Sequence, residues 1–306
     1  KGKYAEALAL IRERNILPGV CGRVCVHPCE TDCRRGGVDD AVSVRAIKRF
    51  LSDWAAENPD DVKCPQTSKK RGEKFAVIGS GPAGLAAAAE IARRGCRVTV
   101  FEKEKMAGGL LRYGIGPHRL PRRILDSELS YIENLGVEFA LDQPMEFATD
   151  LDQLRDEFDG IIIATGSWKD RPLGAEGEDL DGVSGCLSFL GQFHRGEITE
   201  QGGKVAVIGD GNAAFDLART LTRIGADVTI VSWFGKDAIP ADPEEIKGAI
   251  AEGVSIIDKS KVIEFQGKDG RFERLLCMPT KPGPKDQNGI AWPIIVESDK
   301  PFPLVF

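Results

Sequence analysis

The sequence predicts an α/β fold in which parallel sheets follow a small helical domain. From about residue 74, short apolar strands alternate with Ala-rich helices, which is typical of βαβ units. Two glycine-rich loops each follow a strand and open a helix. Residues 75–102 also align on residues 205–232 without a gap, with 11 of 28 positions identical at an offset of 130. Such a repeat predicts two copies of one supersecondary unit.

The composition is that of an ordinary globular protein with two or three domains. The chain has 306 residues, 42% of them apolar, and 41 basic against 47 acidic side chains give a net charge of −6. This balance excludes global disorder, and the negative charge disfavours nucleic acid as a partner. No apolar run reaches the roughly 20 residues of a membrane span. We see no secretory signal either, so we expect a cytoplasmic protein.

Residues 1–60 are predicted to be helical around a cysteine-rich loop. A first helix is expected from about Tyr4, with Pro18-Gly19 as its end. The loop covers residues 21–37, and residues 58–72 are predicted to be a polar linker that carries the run Lys69-Lys70-Arg71. Between loop and linker, residues 42–57 predict a helix whose apolar side consists of Val44, Ile47, Phe50, Leu51 and Trp54.

The first glycine loop, Gly79-Ser80-Gly81-Pro82-Ala83-Gly84, has the pattern of a dinucleotide-binding turn. Gly79 permits the tight turn, Gly81 lets a pyrophosphate approach the backbone, and Gly84 lets the helix pack against the strand. The helix N-terminus adds N–H groups and partial positive charge. Glu102, at the end of the next strand, can accept hydrogen bonds from a ribose diol. The alternative is a tight turn in an α/β domain that binds no nucleotide.

The second glycine loop, Gly209-Asp210-Gly211-Asn212-Ala213-Ala214, departs from the first at two points. Ala214 replaces the third glycine, which the pattern tolerates. Ser232 stands where Glu102 stands in the first copy, so the carboxylate that reads a 2′-hydroxyl is missing there. We expect a nicotinamide dinucleotide at this loop, with NAD and NADP both open. A degenerate copy that binds no nucleotide is the alternative.

Two dinucleotide sites in one chain are explained most simply by a bound flavin and a nicotinamide cofactor. A hydride then passes from the nicotinamide to the flavin, which can return electrons one at a time. The cofactors carry this chemistry, which agrees with the lack of a Ser-His-Asp set or an obvious acid–base pair in the sequence. We therefore assign no catalytic side chain, and we expect the histidines to be structural or surface residues: His27, His118 and His194.

Four of the eight cysteines form a C-x3-C-x3-C-x3-C run: Cys21, Cys25, Cys29 and Cys33. Gly22 and Pro28 prevent a continuous helix, so this segment can curl around one centre. Clustered thiolates suit an iron–sulfur cluster or a tetrahedral zinc ion, and their spacing alone does not separate the two. Disulfides are a third alternative, which a reducing cytosol disfavours.

The flavin-type loop downstream favours the iron–sulfur cluster over zinc. Three basic side chains near the run, Arg23, Arg34 and Arg35, would offset the negative charge of a ligated cluster. The other cysteines are dispersed, and we expect them to be small buried apolar residues: Cys64, Cys96, Cys186 and Cys277.

Further motifs, taken together with the loops, are specific to one family. They are Gly22-Arg23-Val24-Cys25, Pro28-Cys29-Glu30, Cys33-Arg34-Arg35-Gly36, Ile47-Lys48-Arg49-Phe50, residues 108–115, Arg119-Leu120-Pro121, Ala164-Thr165-Gly166 and residues 211–216. With these motifs the chain resembles, over nearly its whole length, the small (beta) subunit of NADPH-dependent glutamate synthase. That family includes the N-terminal half of dihydropyrimidine dehydrogenase.

The resemblance implies two Rossmann-like domains, for FAD and NAD(P), preceded by a helical iron–sulfur domain. The implied bounds are 1–72 for the iron–sulfur domain with its linker, 73–170 for the FAD domain, 171–298 for the NAD(P) domain, and 299–306 for the start of a return to the FAD domain. Electrons would run from NADH or NADPH to FAD, then through [4Fe–4S] clusters to a larger partner subunit or another acceptor.

The resemblance also implies site residues. The cluster ligands would be Cys21, Cys25, Cys29 and Cys33. FAD would be held by Gly79, Gly81, Pro82, Ala83, Gly84, Glu102, Lys103, Gly109, Leu110, Arg119, Leu120, Ala164, Thr165 and Gly166. NAD(P)H would be held by Gly209, Gly211, Asn212, Ala213, Ala214, Asp216 and Ser232.

One departure from the family bears on the choice of nucleotide. Relatives that use NADPH commonly have two arginines after the second strand of the NAD(P) domain, and Trp233-Phe234 stand there in this chain. The sequence therefore favours NADH over NADPH. Two other functions stay open: a zinc-stabilised adaptor without catalytic activity, and a disulfide reductase of the thioredoxin-reductase type. The sequence disfavours the second because it contains no C-x-x-C pair.

Overall fold

The computed structural model describes residues 2–62 and 70–306, and the chain divides into two compact units. The first unit extends to Ser167, and the second runs from Trp168 to Phe306. Cys64 and Lys69, both named in predictions above, lie outside the described residues. No helix in the described parts of the chain is long and apolar enough to cross a bilayer.

Short helices form the N-terminal part of the first unit: α1 (Tyr4–Arg12), α2 (Pro18–Val24), α3 (Pro28–Thr31) and α4 (Val44–Glu57). Helix α2 packs against α4 at two glycines, since a Cβ on Gly19 or Gly22 would lie 2.2 Å from Ser52 Oγ or 2.6 Å from Arg49 N. Only glycine allows this approach. The close packing fixes α2, which carries the first cysteine of the run.

A four-stranded parallel sheet forms the rest of the first unit, in the order β3-β2-β1-β4. The strands run in one direction because a helix precedes or follows each of them, as in βαβ units. In chain order the elements are β1 (Lys74–Ile78), α5 (Pro82–Arg93), β2 (Arg97–Phe101), α6 (Leu110–Tyr113), α7 (Arg122–Asn134), β3 (Val137–Ala140), α8 (Phe147–Glu157) and β4 (Gly160–Ile163).

The second unit begins with α9 (Cys186–Arg195) and continues with a three-stranded parallel sheet in the order β5-β6-β7. Its elements are β5 (Lys204–Ile208), α10 (Asn212–Arg223), β6 (Asp227–Val231), α11 (Pro243–Ala251) and β7 (Ser255–Ile257). The bounds of β5, α10 and β6 are those of β1, α5 and β2 shifted by 130. The repeat in the sequence is therefore a repeat of structure.

An antiparallel sheet completes the second unit. It contains β8 (Ser260–Lys268), β9 (Arg271–Lys285), β10 (Ala291–Ile295) and β11 (Phe302–Val305), with β9 paired to each of the other three. The sequence analysis did not predict this sheet, nor strand β3. We expected residues 299–306 to begin a return to the FAD domain, and the structure pairs Phe302–Val305 with β9 inside the second unit.

Two predictions for the N-terminal helices were wrong. Pro18 begins α2, where proline at the first helical position costs no hydrogen bond, whereas α1 already ends at Arg12. The cysteine segment is not one loop, because Cys21 lies in α2 and Cys29 lies in α3. The helix predicted for residues 42–57 is α4, and on its apolar side Leu51 is 4% exposed whereas three members are exposed: Val44, Ile47 and Phe50.

Candidate functional site

The first glycine loop is built to receive an anion at the start of α5. Gly79 has φ +102°, and a Cβ there would lie 2.4 Å from the carbonyl oxygen of Ala164, so only glycine fits. Gly81 caps α5 without a side chain, so the first N–H groups of the helix face the loop. A Cβ on Gly81 would meet no atom within 4 Å. Space and donors therefore coincide where a pyrophosphate is expected.

A buried hydrogen-bond network joins this loop to the end of β2. The Glu102 carboxylate, 5% exposed, accepts hydrogen bonds from the Ser80 N–H at 2.9 Å and from the Ser80 hydroxyl. The Ser80 hydroxyl oxygen in turn accepts from Gly108 N at 2.9 Å. The other Glu102 oxygen accepts from Glu104 N at 3.0 Å. The carboxylate is thus fixed beside the loop and still has acceptor capacity for a ribose hydroxyl.

The segments predicted to surround FAD lie around this loop. A Cβ on Gly109 would lie 2.7 Å from Gly81 Cα, and one on Gly84 would lie 1.9 Å from the Gly79 oxygen. The structure therefore brings these residues together with Ala164 and Thr165 on the other side of Gly79.

The remaining predicted FAD residues differ in their surroundings. Leu120 is fully buried in the hydrophobic core of the first unit. Arg119 is half-buried and donates to Val24 O at 3.5 Å. Leu110 is half-buried, and the others are exposed: Pro82, Ala83, Lys103, Thr165 and Gly166.

The second glycine loop opens α10 in the same way. Gly211 caps α10 without a side chain, and a Cβ there would also meet no atom within 4 Å. The Asn212 side-chain oxygen accepts from Asp242 N at 2.8 Å, which ties the start of α10 to the start of α11. Ala214 is buried, Ala213 is exposed, and Asp216 is 3% exposed within α10. The start of α10 thus offers uncapped backbone N–H groups and open space, as the start of α5 does.

Asp210 and Ser232 replace the Ser80–Glu102 pair in this loop. The fully buried Ser232 hydroxyl donates to the Asp210 carboxylate and accepts from Phe234 N at 3.1 Å, and the N–H groups of Trp233 and Phe234 favour the charged form of the carboxylate. Burial raises the pKa of Asp210 above its ordinary value, and these donors oppose the rise. Trp233 and Phe234 pack with Trp292, with ring centroids 5.7–6.4 Å apart. This site therefore also contains a carboxylate, but it belongs to Asp210 in the loop, whereas in the first copy it belongs to Glu102 at the strand end.

Glu128 in helix α7 holds helix α2, which carries Cys21. Glu128 in α7 accepts from Gly19 N at 2.7 Å and from Val20 N at 3.2 Å, the free N–H groups at the start of α2. Glu128 is 1% exposed, and burial raises the pKa of its carboxyl to about 7. The cysteine-bearing helix is thereby fixed to the FAD-type sheet layer within one unit.

The cysteines predicted as ligands carry features that suit thiolates. Backbone N–H groups of Val42, Arg35 and Gly36 lower the pKa of Cys33, and His27 N donates to Cys25 Sγ at 3.4 Å. Burial raises the pKa of Cys21, which the Lys48 ammonium opposes. Cys21, Cys25, Cys29 and Cys33 are all free in the structure. Sulfur atoms with N–H donors nearby fit the ligands of an iron–sulfur cluster.

Sequence reasoning missed three residues of these sites: Ser80, Asp210 and Glu128. The first two carried a signal, since the repeat places Ser80 on Asp210 and Glu102 on Ser232 at the same offset of 130. Hydroxyl and carboxyl exchange places between the copies. Glu128 carried no signal, because a glutamate in a predicted helix gives no indication of its partner 109 residues away.

Two family models match the chain. Residues 73–281 match the pyridine nucleotide-disulphide oxidoreductase family, and residues 1–60 match dihydropyrimidine dehydrogenase domain II, 4Fe-4S cluster. The first match confirms the predicted fold and the prediction of FAD and NAD(P)H binding. The second confirms the prediction of a 4Fe–4S cluster domain at the N-terminus.

Curated relatives match most of this chain. The chain is 37% identical to the NADP(+)-dependent formate dehydrogenase subunit beta of Moorella thermoacetica, over 98% of this chain and 46% of that protein. It is 38% identical to the NADPH-Fe(3+) oxidoreductase subunit beta of Geobacter sulfurreducens, over 82% of this chain and 38% of that protein. The Escherichia coli glutamate synthase [NADPH] small chain is 33% identical over 94% of this chain and 64% of that protein. The chain thus spans less than half the length of the first two.

A solved structure shares the fold. FprA from Mycobacterium tuberculosis in complex with NADPH superposes with a TM-score of 0.61 and 22% identity, over 77% of this chain and 69% of that one. The family match covers more than half of the chain, and the relatives confirm the resemblance to the glutamate synthase small chain. The chain belongs to the pyridine nucleotide-disulphide oxidoreductase family.

Proposed function

We propose that the chain is the electron-input part of an oxidoreductase complex. It oxidises NAD(P)H and delivers electrons, through FAD and one or more [4Fe–4S] clusters, to a partner subunit. The observation that carries this proposal is the hydrogen bonding of Glu128 to the start of α2, which joins the cysteine segment to the FAD-type sheet in one unit. Single electrons can pass only between redox groups that the fold holds close together.

The residues that would hold the groups follow from the contacts above. Gly79, Gly81 and the first N–H groups of α5 would bind the pyrophosphate of FAD, and Glu102 would accept from its ribose. The four cysteines would ligate the cluster. Gly209, Gly211 and the start of α10 would bind NAD(P)H. When bound, FAD supplies hydride acceptance and one-electron donation.

Two basic side chains near the cysteine segment would offset the negative charge of the cluster. Arg23, 5% exposed at its side chain, donates to Asp53 Oδ1 at 2.5 Å and to Gly19 O at 3.2 Å, so it lies beside the cysteine-bearing helix. Lys48 lies close enough to Cys21 to favour its thiolate. Both cations would stabilise a ligated, negatively charged cluster.

The relatives' names support a partner. Those cited above are called subunits or chains of larger enzymes, and each is longer than this chain. We propose that this chain likewise serves a larger electron-accepting subunit. The alternative of a zinc-stabilised adaptor makes a different prediction, namely zinc without iron and no oxidation of NAD(P)H.

The test is an anaerobic visible spectrum of the full-length protein before and after addition of NADH, then NADPH. We expect flavin bands over a broad iron–sulfur background, and bleaching by at least one nucleotide. A colourless protein that contains zinc would overturn the proposal in favour of the adaptor.

A matched pair of cysteine variants sharpens this test. Cys29→Ser should remove the cluster absorbance and leave the flavin bands. Cys96→Ser, outside the run, should leave both, because Cys96 is a half-buried residue between α5 and β2. An unchanged cluster spectrum in Cys29→Ser would contradict the ligand role of the run.

A further inference from the structure

The second glycine loop contains a carboxylate, that of Asp210, beside the end of the strand that follows it. In Rossmann-type folds the adenosine ribose lies beside the end of the second strand, where an acidic residue binds a 2′-hydroxyl or a basic residue binds a 2′-phosphate. In this chain that strand is β6, which ends at Val231. Ser232, Trp233 and Phe234 follow it directly.

The Asp210 carboxylate already accepts a hydrogen bond from the side chain at this strand end, that of Ser232. The Ser232 hydroxyl itself accepts from Phe234 N at 3.1 Å, so the carboxylate and this hydroxyl form one hydrogen-bonded group at the strand end. A 2′-phosphate would need these same donors, and it would bring two negative charges next to a third. A 2′-hydroxyl, in contrast, can donate to the carboxylate.

The side chains after β6 offer no guanidinium for a phosphate. Phe234 is 4% exposed and packs against Trp292, so its side chain belongs to the core. Between Ser232 and Lys261 the sequence has lysines but no arginine. Lys236 is exposed, and Lys261 Nζ lies over the Trp233 ring, 5.4 Å from its centroid. An ammonium above an aromatic face is already stabilised there.

We propose that Asp210, held by Ser232, makes the second loop select NADH against NADPH by filling the 2′-phosphate position with an internal carboxylate. This inference rests on the proposed function, because it names which dinucleotide the oxidoreductase takes. The carboxylate enters from the loop instead of from the strand end, so the residue that distinguishes the two nucleotides is Asp210.

The test measures binding of ADP-ribose and 2′-phospho-ADP-ribose to the full-length protein by calorimetry. These probes lack the nicotinamide, so their binding does not depend on flavin reduction. We expect ADP-ribose to bind roughly 100-fold more tightly. In Asp210→Ser the preference should fall below about tenfold, mainly through tighter binding of the phosphorylated probe. Equal binding of the two probes by the unaltered protein would overturn the inference.

Two further variants separate Asp210 from its neighbours. Ser232→Ala keeps the carboxylate and should keep most of the preference, whereas a role for the hydroxyl alone would abolish it. Lys261→Ala should leave the ratio unchanged, and loss of binding of the phosphorylated probe alone in this variant would show a phosphate site and refute the inference. If neither NADH nor NADPH reduces the flavin while the preference for ADP-ribose holds, the proposed function fails and this inference stands.

Discussion

The two glycine loops share one backbone plan and differ in where they put their charge. In the first, Ser80 lies in the loop and Glu102 at the strand end; in the second, Asp210 lies in the loop and Ser232 at the strand end. The strands and helices that carry them have the same lengths and an offset of 130. The contrast teaches that a duplicated unit can keep its hydrogen-bonded pair while reversing the direction from which the carboxylate approaches.

The loops also differ in how tightly they are packed. In the first, a Cβ on Gly84 would lie 1.9 Å from the Gly79 oxygen, whereas the second copy has Ala214 at this position. A Cβ on Gly209 would lie 3.2 Å from the Ala214 Cβ, which is a tight contact but not an overlap with backbone. The first loop therefore lies closer to its helix than the second. The predictions below test this difference and the charge difference, in order of decreasing effect.

Gly84→Ala should have the largest effect. The added methyl group overlaps a backbone carbonyl, so α5 must move away from the loop that binds the flavin pyrophosphate. We expect a loss of stability on the order of 3 kcal/mol and protein that retains little flavin. Flavin content after gel filtration and urea unfolding measure both effects.

The matched control for this change is Ala214→Gly in the second loop. It should cost only about 1 kcal/mol, the usual difference between alanine and glycine in a helix, and should leave flavin content unchanged. Equal losses in the two variants would mean that the loops are packed alike, contrary to the structure.

Glu102→Ala should weaken flavin binding by about 1.5–3 kcal/mol. The change removes an acceptor for the ribose and leaves the buried Ser80 N–H and hydroxyl without their acceptor. The dissociation constant of FAD, measured by fluorescence on reconstituted protein, gives the effect. Glu90→Ala, on the exposed face of α5 and paired with Arg94, is the control and should bind FAD normally. Normal binding by Glu102→Ala would remove that residue from the site.

The sequence was sufficient for the parts of the fold that repeat. Strand–helix alternation and the glycine pattern located β1, α5, β2 and their copies along the chain, because turn geometry and helix–strand packing constrain the loop residues directly. Propensity was insufficient for β8 to β11, whose long strands carry prolines and charges. Their pairing depends on contacts with one another, as at Leu275, which is buried between β8 and β11.

The sequence suggests candidate sites where the spacing of residues forms a specific pattern. Glycines at fixed spacing and clustered cysteines form such patterns. Glu128 does not, because its role comes from burial against backbone N–H groups that are distant in sequence. The exposed part of the α4 face shows the same limit: periodicity gives the apolar side of a helix but not how much of it another element covers.

Glu128 predicts that the first unit loses stability as the pH rises. Burial raises its pKa to about 7 in the folded chain, against 4.5 in the unfolded chain. The folded state therefore binds the proton more tightly, and stability falls between about pH 4.5 and pH 7, by about 2 kcal/mol. Urea unfolding of the first unit's flavin signal at pH 5 and pH 8 measures the slope. Glu128→Gln should lose much less between these values, and an equal loss would assign the slope to other groups.

Glu252 predicts the opposite dependence in the second unit, and a smaller one. The Arg223 and Arg219 guanidinium groups lower its pKa to about 2, with Arg219 Nη2 and Arg223 Nη2 at 2.6 and 2.8 Å from Oε1. Its stabilisation is complete above about pH 4.5 and is lost as the pH falls towards 2. Because a quarter of the side chain is in solvent, we expect only about 1 kcal/mol. Tryptophan fluorescence during urea unfolding at pH 6 and pH 3.5 should give a smaller loss for Glu252→Gln than for the unaltered protein. An equal loss of stability in the variant and the unaltered protein would show that the ion pairs of Glu252 contribute nothing. The opposite pH dependence expected for Glu128 and Glu252 would then have no basis.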